Sequence, residues 1–173
     1  MLCVCECPRP NPPISYILGC GVQCAAERGY IEVIHAIMLE PKARALVDHE
    51  TLEGWTALLK AVKSNQIEAA KVLLDNYNAK VDRASKFGNT ALILAVEAGF
   101  PDMVKMLLEH NANPDRETRI GTARNIALRI GNRAVLEHII KVKGPQPSVD
   151  PTYKAIARAE GRAKLVRQNA GQE

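Results

Sequence analysis

Apolar residues along this chain recur in pairs of short segments, each with the spacing of one helix face. In residues 88–108, GNTALILAVEAGFPDMVKMLL, Gly99 separates two such segments. Apolar residues at intervals of three and four positions lie on one side of a helix. Each pair therefore predicts two short amphipathic helices joined by a break at a glycine or an asparagine.

The paired segments repeat along the chain at a nearly fixed period. Thr90-Ala91-Leu92 aligns with Thr56-Ala57-Leu58, 34 residues upstream, and Gly99 aligns with Asn65 and Gly131. A period of this length is typical of a solenoid, in which each unit is too small to bury its own apolar face. The pattern therefore predicts an all-α solenoid of stacked helix-turn-helix units.

Polar residues mark where the predicted helices begin and end. The Thr56 hydroxyl is placed to accept hydrogen bonds from amides of the first helical turn. Asn78 and Asn111 follow second helices, and asparagine tolerates the positive φ on which helices often end. We therefore expect Thr56 to open a helix and both asparagines to close one.

Two later units depart from the pattern. Arg124 replaces the apolar residue that Leu58 and Leu92 supply, so we expect the fourth unit to be weaker. Residues 145–169 keep the spacing only in part, and Arg158 stands where earlier units bury valine. A polar residue there suits a terminal cap that no further unit covers.

The pattern divides the chain into three parts. A Cys/Pro-rich irregular tail covers residues 1–15, a repeat domain covers 16–169 and a frayed end covers 170–173. Within the repeat domain we expect about five units with degenerate ends, at residues 16–47, 48–81, 82–114, 115–144 and 145–169.

The net charge of +4 is unevenly distributed. Residues 116–173 carry 12 Lys and Arg against 5 Asp and Glu, a balance of +7. A basic region of this kind suits an acidic partner surface, although a solvated face is the simpler interpretation. Aromatic residues that stack on bases are nearly absent there, so we expect no nucleic-acid partner.

No motif of an enzyme or a membrane span stands out. His35, His49, His110 and His138 fall in different units, and neither a catalytic triad pattern nor a phosphate-binding glycine loop is found. We therefore predict a non-catalytic chain without cofactor or metal. The longest apolar run, about six residues, is far short of the roughly 18 that cross a bilayer.

All five cysteines, Cys3, Cys5, Cys7, Cys20 and Cys24, lie in the first 24 residues. Their odd number and the Cys-free remainder argue against a disulfide framework, which favours an intracellular setting, cytoplasm or nucleus. A zinc site and acylation near the amino terminus are alternatives. A reduced, unstructured leader is the simplest interpretation.

Written out, the repeat is Gly-x-Thr-Ala-Leu-x-x-Ala-Val-x-x-Gly, followed by apolar pairs and Asn-Ala. This pattern closely resembles the ankyrin repeat, most strongly over residues 48–142. The chain departs from that family where Ala57, Ala91 and Ala123 replace the usual proline. It also departs where Leu59, Ile93 and Asn125 replace the usual histidine.

The resemblance implies a protein-interaction scaffold that binds its partner through β-turn fingers and the exposed side of the first helices. It places twelve candidate binding residues there: Leu52, Glu53, Trp55, Lys63, Lys86, Phe87, Asn89, Glu97, Arg119, Ile120, Arg129 and Ile130. Trp55, Phe87 and Arg119 are the expected anchors, because large aromatics and Arg dominate interface hot spots. Alternatively, Trp55 and Phe87 seal neighbouring fingers.

The competing function is a membrane-tethered regulatory adaptor. In that hypothesis, acylated cysteines of the tail anchor the chain, and the repeats present a cargo. Membrane contact is expected only if those cysteines are acylated.

Overall fold

The protein is described here by a computed structural model over residues 14–143. Helices in this range are α1 (Ile14–Arg28), α2 (Ile31–Met38), α3 (Pro41–Arg44), α4 (Ala57–Lys63), α5 (Ile67–Asp75), α6 (Ala91–Ala98), α7 (Pro101–Glu109), α8 (Ala123–Ile130) and α9 (Arg133–Lys143). The described residues form no strand, only an isolated bridge between Ala84 and Thr90. The all-α prediction is therefore confirmed.

The helices stack in two rows. The first helix of each pair contacts the first helix of the next, so that α4 packs against α1 and α6, and α6 packs against α8. The second helices α2, α5, α7 and α9 contact one another in the same order. This nearest-neighbour packing is the solenoid that the repeat period predicts.

One continuous core runs between the two rows. Ala61, Ala95 and Ala127, which share one repeat position, are fully buried, and their small side chains allow neighbouring first helices to approach closely. Larger aliphatic side chains fill the space between the rows: Ile34, Leu59, Leu73, Ile93, Leu107, Ile126 and Ile139.

Threonine caps open the first helix of three successive units. The side-chain oxygens of Thr56, Thr90 and Thr122 accept from the amides three residues on, at 3.3, 3.2 and 3.1 Å. The prediction for Thr56 is confirmed, and two further units repeat it.

Asn78 and Asn111 have φ of 53° and 63°, in the left-handed region. Their predicted role as helix stops is also confirmed, because a chain that enters this region leaves the helix.

Arg124 is buried, with only 7% of its surface exposed. Its Nε and Nη2 lie 2.5 and 3.2 Å from the two carboxylate oxygens of Asp115, a bidentate ion pair. Arg124 therefore occupies a position that is apolar in other units, and Asp115 neutralises its charge there. The sequence pattern does not reveal this pairing.

One cysteine departs from the expectation for this chain. Cys24 is disulfide-bonded, which the argument against a disulfide framework did not anticipate. An odd count excludes complete pairing but leaves room for a single bridge. Cys3, Cys5, Cys7 and the expected fifth unit at 145–169 lie outside the described residues.

Candidate protein-interaction surface

Three turns, which we call fingers, precede the first helices α4, α6 and α8. They lie at residues 51–54, 85–88 and 118–121. In these turns the amides of Gly54, Gly88 and Gly121 donate to the carbonyl oxygens of Thr51, Ser85 and Thr118, at 2.9, 2.9 and 3.1 Å. Each closes a four-residue turn of the same kind.

Neighbouring fingers are joined by one backbone hydrogen bond and one from a side chain. The Lys86 amide donates to the Glu53 carbonyl oxygen at 3.0 Å, and Arg119 Nη1 donates to the Lys86 carbonyl oxygen at 3.0 Å. Gly54 has φ of +80°, and a Cβ there would lie 2.8 Å from the Lys86 nitrogen. Glycine is therefore required where the second finger approaches the first.

Each finger presents one apolar and one charged side chain at its tip. Leu52 and Phe87 are each 55% exposed and Ile120 is 39% exposed. Their charged neighbours Glu53, Lys86 and Arg119 are also exposed. The tips thus form a row of apolar side chains flanked by charges, which we call the fingertip row.

Trp55 follows the first finger and differs from Phe87 in its surroundings. Its ring is half-buried and packs against the core, and its Nε1 donates to Glu53 Oε2 at 3.0 Å. The Nζ atoms of Lys60 and Lys63 lie 5.8 and 5.0 Å from the ring centroid, within cation–π range. These contacts favour a sealing role for Trp55, while Phe87 stays accessible.

The predicted helix positions lie in the single row of first helices. Lys63, Glu97, Arg129 and Ile130 are all exposed near the ends of α4, α6 and α8. The contact between Lys63 and Trp55 joins one of these helix positions to the base of the first finger.

Asn89 is the other candidate that is not exposed. It is half-buried, and its backbone exchanges hydrogen bonds with Ser85. Of the twelve candidates, ten are therefore exposed, and Trp55 and Asn89 are partly buried.

Residues 22–118 match the protein-family profile described as ankyrin repeats (3 copies), which is more than half of the chain. The chain belongs to the ankyrin repeat family. Ankyrin repeats generally act as protein–protein interaction modules and are typically non-catalytic.

Three curated relatives share the ankyrin-repeat region. The nuclear factor NF-kappa-B p105 subunit of Mus musculus is 34% identical over 129 residues, or 73% of this chain and 13% of its own length. The E3 ubiquitin-protein ligase KEG of Arabidopsis thaliana is 30% identical over 84 residues, 49% of this chain and 5% of its own.

The ankyrin repeat and SAM domain-containing protein 6 of Danio rerio is 30% identical over 138 residues, 76% of this chain and 18% of its own. This ankyrin-repeat chain thus spans less than a fifth of the length of each of these three relatives.

Two adjoining clefts lie beside the fingers, and the sequence pattern did not point to them. Their volumes are about 590 and 500 Å³, and Ala84 and Arg116 line both. The first cleft is also lined by Glu50, Lys80, Val81, Asp82 and Arg83, and the second by Ser85, Lys86, Gly88, Glu117, Thr118 and Arg119. Basic residues outnumber acidic ones five to three along the two clefts.

Side-chain hydrogen bonds tie successive units together beneath these clefts. Asp48 Oδ1 accepts from the Lys80 amide, and Asp82 Oδ1 accepts from the Asn113 amide, each at 3.0 Å. The repeated bond holds the segment that leads into each finger at a fixed distance from its neighbour.

Two histidine side chains contact residues of neighbouring units. His35 Nδ1 lies 2.7 Å from the Tyr77 hydroxyl, and His110 Nε2 lies 3.5 Å from Asp75 Oδ1. Burial lowers the pKa of His49, and the nearby Glu50 carboxylate partly opposes that shift.

Within residues 14–143, no group of three or more His, Cys, Asp or Glu is arranged to hold a metal ion. The described helices also include none long and apolar enough to cross a bilayer.

Proposed function

We propose that this ankyrin-repeat chain is a non-catalytic scaffold that binds a protein partner through its fingers and the exposed side of its first helices. The observation that carries the proposal is the fingertip row, in which Leu52, Phe87 and Ile120 expose apolar surface on three successive fingers. Apolar side chains aligned in this way, with charges beside them, suit the anchors and rim of a protein interface.

Phe87 is the strongest proposed anchor in this row. Fully burying a phenylalanine is worth about 1.5–3 kcal/mol, and about half of this side chain is still exposed. Its burial by a partner should therefore contribute about 1 kcal/mol before any shape-specific contacts. Arg119 adds a charged anchor, while Trp55 should contribute less because its ring is already covered.

Site-specific photo-crosslinking tests the proposal. A benzoyl-phenylalanine at Phe87 should crosslink to a discrete partner in cells, and the same group at Lys71, an exposed residue of the second-helix row, should not. Mass spectrometry of the crosslinked peptides should then identify the partner segment that contacts the fingertip row. Equal crosslinking from both positions would contradict a partner surface at the fingers.

The Leu52→Ala/Phe87→Ala double variant checks the same surface without a reactive group. It should lose the partner crosslinked from a probe at Arg129, a candidate position on the first-helix row that the double substitution leaves unchanged, while its helicity stays that of the wild type. Trp55→Ala should weaken capture less than Phe87→Ala. A loss of helicity on Trp55→Ala would assign that ring to sealing alone.

We also propose an intracellular location, in the cytoplasm or nucleus. The cysteine argument for it is weakened by the Cys24 disulfide. Its remaining support is the name of one relative, a nuclear factor. Cell fractionation of the tagged chain tests it, and recovery from the medium would contradict it.

A further inference from the structure

Two arginines occupy the same position in successive units. Counting back from the finger glycines Gly88 and Gly121, Arg83 and Arg116 each lie five residues earlier. Both donate their amide to a carbonyl oxygen three residues before, at 3.4 Å. The backbone therefore presents the two side chains in equivalent ways.

The two arginines differ in what the preceding unit offers them. Arg83 forms an ion pair with Glu50, four residues before Gly54. The equivalent residue before Gly88 is Ala84, which has no carboxylate. Among the described residues, no hydrogen-bond or ion-pair partner is found for the Arg116 side chain, which is exposed.

The space beside Arg116 is open to a ligand. Ala84 and Arg116 line both clefts, so the missing carboxylate position lies where the two clefts adjoin. Lys80 lines one side and Lys86 the other, and both side chains are exposed. Arg116, Lys80 and Lys86 thus line the two clefts that share Ala84, the position that holds a carboxylate one unit upstream.

We propose that Arg116 binds an Asp or Glu carboxylate from an acidic peptide segment of the partner, which takes the position that Glu50 occupies beside Arg83. The inference rests on the proposed function, since it names the chemistry of the partner at one edge of the fingers. Arginine pairs with carboxylate in a bidentate, charge-assisted geometry, and the neighbouring lysines add long-range attraction.

A peptide fits these clefts better than a nucleic acid or a lipid surface does. No aromatic side chain that stacks on a base lines either cleft. Glu50, Asp82 and Glu117 also line them, and these carboxylates would repel a continuous run of phosphates. A peptide places its carboxylates singly and can donate backbone amides to the acidic groups.

Binding of a fluorescein-labelled oligoglutamate peptide, followed by anisotropy at low salt, tests the proposal. Ala84→Glu should supply the missing carboxylate from within the chain and weaken peptide binding about tenfold, as should Arg116→Gln. Glu50→Ala should release Arg83 and strengthen binding about twofold by adding a second site. Lys71→Gln, a matched loss of one exposed cation elsewhere, should change binding by less than about twofold.

The outcomes separate the alternatives. Binding that is unchanged in Ala84→Glu and in Arg116→Gln, or a loss of equal size in Lys71→Gln, would overturn the inference. It would fall equally if a single-stranded oligonucleotide, or vesicles of phosphatidylserine and phosphatidylcholine, bound through Arg116 while oligoglutamate did not. Circular dichroism of each variant checks its fold, and Arg116→Gln decides if Ala84→Glu unfolds.

This readout is independent of the fingertip crosslink. Failure of oligoglutamate binding with an intact Phe87 crosslink would remove the carboxylate site and leave the scaffold function in place. Loss of the Phe87 crosslink with peptide binding retained would remove the fingertip surface instead.

Discussion

The buried ion pair between Arg124 and Asp115 allows a sharp prediction about stability. Asp115→Ala removes the carboxylate that the guanidinium contacts at 2.5 and 3.2 Å. The Arg124 side chain is 8% exposed, so the substitution leaves a mostly buried charge without that carboxylate. Arg124→Leu instead restores the apolar residue that Leu58 and Leu92 place at this position.

The magnitude follows from the burial of the two partners. Breaking a fully buried pair by removing one member costs about 3–5 kcal/mol. Asp115 is 32% exposed, and solvent screening lowers that cost, so we expect Asp115→Ala to destabilise by about 2–3 kcal/mol. The double variant Asp115→Ala/Arg124→Leu should recover most of this, because it leaves no buried charge and adds apolar contact.

Hydrogen exchange of the α8 amides, together with urea unfolding followed by circular dichroism, measures the effect. Exchange is needed because each unit of a solenoid contacts only its neighbours, so one unit can open before the rest. Glu137→Ala, which breaks the exposed pair with Arg133, is the matched control and should cost less than about 0.5 kcal/mol. An Asp115→Ala variant as stable as the control, or a double variant no better than Asp115→Ala, would refute the reasoning.

Two further predictions concern the first finger and its surroundings. Gly54→Ala should destabilise more than Gly121→Ala, by at least about 1 kcal/mol in urea unfolding, because a methyl at Gly54 meets the Lys86 nitrogen while nothing lies within 4 Å at Gly121. Equal losses of stability in the two variants would show that the positive φ, and not the contact with Lys86, sets the cost of the substitution. Burial lowers the pKa of His49, so the unfolded chain binds a proton more readily, and stability should fall as the pH drops below about 6.5. His49→Gln should reduce the pH dependence of the urea unfolding midpoint between about pH 5 and 8. An unchanged pH dependence would show that another group causes it.

The sequence predicted those parts of the fold that depend on local chemistry. A threonine that caps a helix needs only amides three residues away, so Thr56 could be assigned from its place before an apolar run. Asn78 and Asn111 could be assigned as helix stops because asparagine adopts positive φ more readily than most other non-glycine residues. The row of first helices followed from the repeat, since equal units pack against equal units.

Contacts between units could not be predicted in the same way. The pairing of Arg83 with Glu50 joins residues 33 positions apart, and the repeat pattern averages over such side chains. Side-chain pairs within a unit are hidden from the pattern as well: Asp115, nine positions before Arg124, gives the buried arginine an ion-pair partner. Trp55 lies directly after the first finger, and its contacts with Lys60 and Lys63 depend on the side-chain rotamers of α4, which the pattern does not give.

These differences indicate where the surface of a repeat protein becomes specific. The hydrogen bonds that Asp48 and Asp82 accept from backbone amides of the next unit are equivalent, so they distinguish no partner. Side chains that depart from the repeat pattern do distinguish between partners, because each one alters the environment of its neighbour in the next unit. At Arg124 the change is compensated inside the chain by Asp115. At Ala84 the described residues supply no carboxylate, and the charge of Arg116 remains for a ligand to neutralise.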